Sequence, residues 1–129
     1  MNVYMYMPQA MAFCDFVDEL IQSGSYTPDP ESEAAVSHIE DGLKASGGEK
    51  FGGHWVYFYW HGERDIWMRL NESEIGRIYS LIDSGIRFFH SRLDTHGEDW
   101  RLAHLVRLEE MFRGKLTPVE VEEARARNV

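Results

Sequence analysis

Residues 52–70 read "GGHWVYFYWHGERDIWMRL", and this stretch decides the fold. Two runs of aromatic and other strand-favouring residues, 54–60 and 65–70, flank a short polar segment, which is the pattern of two strands joined by a tight turn. A turn of even length places Trp60 opposite Asp65 and leaves one wholly apolar face. An odd turn would mix apolar and polar side chains on both faces, and register is normally fixed by burying one face. We therefore predict an antiparallel β-hairpin over 54–60 and 65–70.

The two faces of this hairpin carry different side chains. The first face carries Trp55, Tyr57, Tyr59, Ile66, Met68 and Leu70. The second face carries Val56, Phe58, Trp60, Asp65, Trp67 and Arg69. Because a large aromatic side chain buries about 150–250 Å², the three rings of the second face form a patch that monomers seldom leave in water. We expect the first two helices to cover it. The alternative is an interface anchored by Phe58, Trp60 and Trp67, with Arg69 at its rim.

A further strand and two helices precede the hairpin. Residues 2–7, "NVYMYM", alternate in the period-two pattern of a strand. This strand is expected to pair with an edge of the hairpin, because an isolated two-stranded ribbon is only marginally stable. A first helix begins at Pro8, and a second is capped by Asp29. The segment 46–53 contains four glycines, which predicts a mobile loop or a close approach to the sheet.

Three helices follow the hairpin. The first is capped by Asn71 with Glu74 and carries the strongest helical pattern of the chain. Its apolar residues recur at steps of three and four: Ile75, Ile78, Tyr79, Ile82, Ile86, Phe89 and Leu93. The next helix spans about 98–113 and is expected to pair antiparallel with it. Thr117 with Glu120 repeats the capping pattern and begins a short polar helix, which has little to bury beyond Val119 and Val121.

The predicted order is therefore β-α-α-β-β-α-α-α. This is an α+β fold in which a small antiparallel sheet packs with four to five helices. A length of 129 residues fits one domain, which we place over 1–129. The single cysteine, Cys14, excludes an intramolecular disulfide, and the N-terminus lacks the charged start of a secretory signal. No apolar run approaches the roughly 20 residues needed to cross a bilayer. We expect a cytoplasmic protein that does not bind membranes.

The net charge of −9 is concentrated at one end of the chain. Residues 1–43 contain eight acidic residues and no Lys or Arg, whereas residues 44–129 contain 14 acids and 13 bases. A region of one sign steers association with a partner of the opposite sign. The eight are Asp15, Asp18, Glu19, Asp29, Glu31, Glu33, Glu40 and Asp41. The alternative is an acidic face that serves solubility alone.

Few residues suggest chemistry. His90, Asp94 and His96 lie close in sequence near the end of a helix and are the best candidate metal ligands. The same residue types at a helix end are also explained by capping and by the helix dipole. We assign no catalytic residue, because Cys14 lies on an apolar helix face without a basic neighbour in sequence. The basic residues of the last helices alternate with acids, so we expect no direct binding to nucleic acid.

These patterns favour a non-catalytic acidic module that binds the basic surface of another protein and needs no cofactor. Its size and charge are typical of inhibitors, immunity and antitoxin-like proteins, and bacterial or phage proteins that block host defence enzymes. A row of carboxylates would mimic nucleic acid on such a partner. Two alternatives come from other classes: a small metal- or ligand-dependent enzyme with its site near residues 90–96, and a structural subunit that forms a homodimer through the second hairpin face.

Overall fold

A computed structural model describes residues 1–24, 26–56, 65–92 and 99–127. The elements in chain order are β1 Asn2–Tyr6, α1 Met7–Gln22, α2 Pro30–Ala45, β2 Glu49–Phe51, β3 His54–Val56, β4 Asp65–Arg69, α3 Glu72–His90, α4 Trp100–Arg113 and α5 Pro118–Ala126. The predicted α+β class and element order are confirmed, with β2 as one additional short strand. The predicted strand over 54–60 is described only as far as Val56. The rest of that strand and its turn lie outside the described residues.

The N-terminal strand pairs with the strand that follows the aromatic stretch. β1 and β4 are antiparallel, with Val3 opposite Met68 and Tyr4 opposite Trp67. Val3 and Ile66 point into the core, whereas Trp67 and Arg69 point out. The alternation predicted for residues 65–70 is therefore correct, and so is the pairing of β1 with this strand. In the described residues, β1 and β4 form one two-stranded sheet and β2 and β3 form another, and the turn of the predicted hairpin lies outside those residues.

The glycine-rich segment 46–53 is not a simple loop, because three of its residues form the strand β2 between two turns. β2 and β3 form a short antiparallel hairpin in which Phe51 lies opposite His54. Gly52 and Gly53 connect them with φ values of +57° and +85°. Positive φ at both central residues is what a type I′ turn requires, and Gly-Gly supplies it without steric cost. The sequence signal was the spacing of two glycines between strand-forming residues.

Three helices meet where α3 has a glycine instead of a side chain. A Cβ at Gly85 would lie 2.8 Å from Leu105 of α4 and 3.0 Å from the ring of Phe16 of α1. The pairs Tyr79–Glu109 and Gly85–Leu105 run in opposite directions along α3 and α4, so these helices are antiparallel as predicted. The buried apolar side chains of the described residues form one cluster that draws on all three helices and on the β1–β4 ribbon.

The last helix is better attached than its polar sequence suggests. Val121 and Ala124 of α5 are buried, and Ser80 of α3 donates a hydrogen bond to the Ala124 carbonyl. Val119, which the sequence placed inside, is 65 % exposed. Residue 119 follows the Pro at the first helical position and lies on the outer side of the first turn. Among the described residues, no helix is long and apolar enough to cross a membrane.

Candidate functional site

The structure divides the eight acidic residues of the first 43 between two places. Asp29 and Glu31, at the start of α2, both pair with Arg77 of α3. Asp29 also caps α2 by accepting a hydrogen bond from the backbone N–H of Ser32, and this bond lowers the pKa of its carboxyl. This first group therefore fastens α2 to α3. Glu33, on the same turn, is exposed and makes no ion pair with a described residue.

The second acidic group lies where α1 meets α2 and the β2–β3 hairpin. Asp18 pairs with Lys50 at 2.7 Å, and Glu19 pairs with Arg101 of α4 at 3.4 Å. Burial, followed by the charge of Asp18, raises the pKa of the nearby Glu40 carboxyl. Asp41 is exposed. A single continuous row of carboxylates, the arrangement that would mimic nucleic acid, is therefore not present along these two helices.

Asp15 is buried, although its position in an acidic sequence suggested a surface residue. Only 8 % of its surface is exposed, and its Oδ1 accepts a hydrogen bond of 3.3 Å from the backbone N–H of Trp55. No Lys, Arg or His of the described residues lies within ion-pair distance of it. Burial raises the pKa of the Asp15 carboxyl, and the bond from Trp55 and the charges of His54 and Arg101 offset this in part. Asp15 is thus a desolvated carboxylate with weak compensation.

A cavity of about 220 Å³ opens beside Asp15. One wall is the last half of α1, which contributes Asp15, Asp18 and Glu19 at steps that keep them on one side of the helix. The β2–β3 turn supplies a second wall through Gly53 and His54. The glycine presents only backbone there, so the turn leaves the cavity open.

The first turn of α4 completes the cavity. Trp100 is 52 % exposed, and its indole meets the ring of His104 edge-on, with ring centroids 5.8 Å apart. Arg101 is held by Asp99 at 2.8 Å and lies 4.6 Å over the ring of Phe89. These contacts fix the guanidinium of Arg101 before any ligand arrives. The cavity therefore combines three carboxylates, an imidazole, an indole and one neutralised guanidinium.

The replacement Asp15→Asn tests how much stability the protein loses by burying the charged carboxylate of Asp15. The folded protein binds a proton at Asp15 more tightly than the unfolded chain, so this residue costs stability as the pH rises above its ordinary pKa of 3.8. Asparagine keeps an oxygen that accepts from Trp55 and carries no charge to desolvate. We expect the variant to melt at a higher temperature than the parent at pH 7, with the difference shrinking towards pH 4. A lower melting temperature at pH 7 would contradict this account.

The second candidate surface is the outer face of the β1–β4 ribbon. Trp67 is 70 % exposed and Tyr6 54 % exposed, and the Tyr4 ring lies between them at 4.6 Å from Trp67 and 5.8 Å from Tyr6. Asn2 and Arg69 are opposite each other at one end of this face. The expectation that the first two helices would cover the second hairpin face is therefore wrong at Trp67, because α2 packs on the opposite side, where Gly42 meets Ile66. Phe58 and Trp60 lie outside the described residues.

The cysteine and the predicted metal ligands do not form a further site in the described residues. Cys14 is buried, and burial raises the pKa of its thiol well above the ordinary value, which suits a core residue. His90 ends α3 and is exposed, whereas Asp94 and His96 lie outside the described residues. In the ranges that the structure does describe, no three His, Cys, Asp or Glu residues come together in a way that would hold a metal ion.

Comparisons with models of protein families, with curated proteins and with solved structures find no match for this chain. Sequence reasoning missed Trp100 and Arg101 as cavity residues, because only the folded chain brings α4 beside α1. It also missed Tyr4 and Tyr6, although their alternation with Val3 and Met5 placed them on one side of a strand.

Proposed function

We propose that this chain is a non-catalytic protein-binding module that docks on the basic surface of another protein. The observation that carries the proposal is the aromatic outer face of the β1–β4 ribbon, where Trp67 keeps 70 % of its surface in water. Tryptophan and tyrosine are the residues that most often anchor interfaces, since they bury a large area and lose little side-chain entropy. Tyr6 and Tyr4 extend this anchor, and the exposed Arg69 stands at its end.

The charge of the chain supports a basic partner. The net charge is −9, and Glu33 and Asp41 are exposed without an ion pair to a described residue. Four of the eight acidic residues of the first 43 already pair with Lys50, Arg77 or Arg101. Because half of these carboxylates are already paired, the acidic residues should attract a basic partner mainly through the net negative field of the chain. Such a field raises the association rate more than it lowers the dissociation rate of the final complex.

Steric occlusion is the mechanism that fits such a surface. An aromatic face seated on a basic site denies that site to its usual ligand, and neither bond making nor a cofactor is needed. Inhibitors, immunity and antitoxin-like proteins, and phage proteins that block host defence enzymes are classes of this size and charge for which occlusion is a suitable mechanism. We place the chain in this functional class on the strength of its size, its charge and its exposed aromatic face.

A photo-crosslinking amino acid introduced at position 67 tests the proposal. The matched control carries the same amino acid at position 119, where Val119 is 65 % exposed on α5. In an extract of the native host, we expect a discrete adduct at position 67 that is absent at position 119 and that weakens as salt is raised. Mass spectrometry of the adduct should identify a protein with a basic surface. Equal adducts at both positions, or an acidic partner, would overturn the proposal.

A second copy of the chain is the other candidate for this face. Two copies carry −9 each, so their mutual repulsion opposes a dimer and favours a partner of opposite charge. We expect sedimentation at physiological salt to give the mass of one chain. A dimer that Trp67→Glu dissociates would replace the basic partner with a homodimer.

A further inference from the structure

We propose that the cavity between α1, the β2–β3 turn and α4 binds the guanidinium group of an arginine side chain that the basic partner supplies. This inference rests on the proposed function and names the group that the partner inserts. At about 220 Å³ the cavity is larger than the roughly 150 Å³ that holds a benzene ring, and smaller than the 300–1,000 Å³ typical of sites for whole metabolites. One side-chain head group matches this size.

Asp15 is the group that most needs a cation. It is 92 % buried, since 8 % of its surface is exposed, and it lines the cavity. Its Oδ1 accepts the long bond of 3.3 Å from Trp55, and no Lys, Arg or His of the described residues forms an ion pair with the carboxylate. A carboxylate removed from water without a charge partner is costly, and a cation placed against it recovers that cost. An incoming guanidinium would donate to Oδ2.

The other walls favour a planar, delocalised cation over other ligands. Of the three lining carboxylates, Asp18 pairs with Lys50 and Glu19 with Arg101, so Asp15 is the one without an ion pair to a described residue. Arg101 itself is neutralised by Asp99 and Glu19. The indole of Trp100 lines the cavity and is half exposed, and a guanidinium packs well on an aromatic ring whereas an anion does not. The flat fork of arginine also suits paired bonds to carboxylates, whereas the ammonium of lysine binds as a point charge.

Binding of small probes to the full-length chain tests the inference. The probe is N-acetyl-arginine amide, the neutral control is N-acetyl-citrulline amide, and N-acetyl-lysine amide distinguishes guanidinium from ammonium. By two-dimensional NMR, we expect the arginine probe to shift the amides of Gly53, His54 and Arg101 and the indole N–H of Trp100 in a saturable way. The citrulline probe should shift none of them, and the lysine probe should bind more weakly.

Variants separate binding from folding. Asp15→Asn should weaken the arginine probe by at least about tenfold while raising the melting temperature, so loss of binding cannot come from loss of structure. Trp100→Ala should weaken it as well, whereas Glu122→Gln, which removes an exposed carboxylate on α5, should leave it unchanged. Equal binding of citrulline, or undiminished binding by Asp15→Asn, would overturn the inference.

The guanidinium site and the proposed docking function can fail independently, because the probe experiment and the crosslinking experiment test them separately. If the crosslinker at position 67 captures a basic protein but the arginine probe does not bind, the docking function stands and the role of the cavity falls. If the probe binds but no partner is captured, the cavity remains a guanidinium site and the docking function falls.

Discussion

Replacing Phe16 with alanine is expected to destabilise the protein by about 3–5 kcal/mol. The side chain of Phe16 is fully buried, and its ring lies 5.7 Å from that of Phe88 and 5.6 Å from that of Phe89. The backbone of Gly85 lies so close that even a Cβ there would be 3.0 Å from the Phe16 ring. Three helices meet at this point, so the cavity left by alanine has little room to collapse, and the loss should fall at the upper end of the range for core residues.

Urea unfolding followed by circular dichroism measures this effect. A domain of this size has a total stability of about 5–15 kcal/mol, so the loss would remove a large part of it. The matched control is Phe51→Ala, which truncates the same residue type where it is 56 % exposed in β2 and should change stability by less than about 0.5 kcal/mol. Similar effects of the two variants would show that α1, α3 and α4 do not pack as described.

The second large effect concerns binding. For the partner captured at position 67, Trp67→Ala should cost about 2 kcal/mol or more, which is roughly a thirtyfold rise in Kd. Trp67 is opposite Tyr4 in the β1–β4 register, and the two rings are in tilted contact with their centroids 4.6 Å apart, which limits the positions open to the indole before the partner arrives. Because pre-organised aromatic anchors act late in association, most of the loss should appear as faster dissociation.

Surface plasmon resonance with the purified partner provides the measurement. Val119→Ala is the control, because it removes an exposed apolar side chain from α5, which packs against α3. Trp67→Ala should keep the parent melting temperature, since its side chain lies outside the core. A change in Kd of less than about threefold would show that Trp67 does not contribute to the interface, and it would contradict the proposal that the aromatic face binds the partner.

Local patterns predicted most of the secondary structure. Asn71 with Glu74 and Thr117 with Glu120 form the capping boxes that begin α3 and α5, as the sequence indicated. The apolar stripe of α3 is buried, with Ile75, Ile78 and Ile82 fully inside. These features depend on residues three or four apart, so the sequence displays them directly.

Contacts between distant residues were not predictable in the same way. In the sequence, Asp15 is not distinguished from the other seven acidic residues of the first 43. It becomes a buried hydrogen-bond acceptor because the fold brings the backbone N–H of Trp55 from β3 against it. Lys50 and Arg101 neutralise Asp18 and Glu19 across 32 and 82 residues of sequence. The charge asymmetry of the sequence is real, but its distribution in space depends on partners that local patterns do not reveal.

Stability and function are opposed at Asp15. The carboxylate weakens the fold at neutral pH, and asparagine would keep its hydrogen bond to Trp55 at lower cost. Binding sites commonly retain such residues, because a group that is poorly satisfied in the free protein is the one that a ligand satisfies. Opposite changes in melting temperature and in guanidinium affinity on Asp15→Asn are the signature of this arrangement.

The attraction between an acidic chain and a basic partner is tested most directly by the salt dependence of the association rate constant. It is measured for the parent chain and the partner captured at position 67, at ionic strengths of about 0.05 and 0.5 M. We predict at least a tenfold fall in the association rate at the higher salt, with a much smaller change in the dissociation rate. An association rate that does not respond to salt would contradict the account.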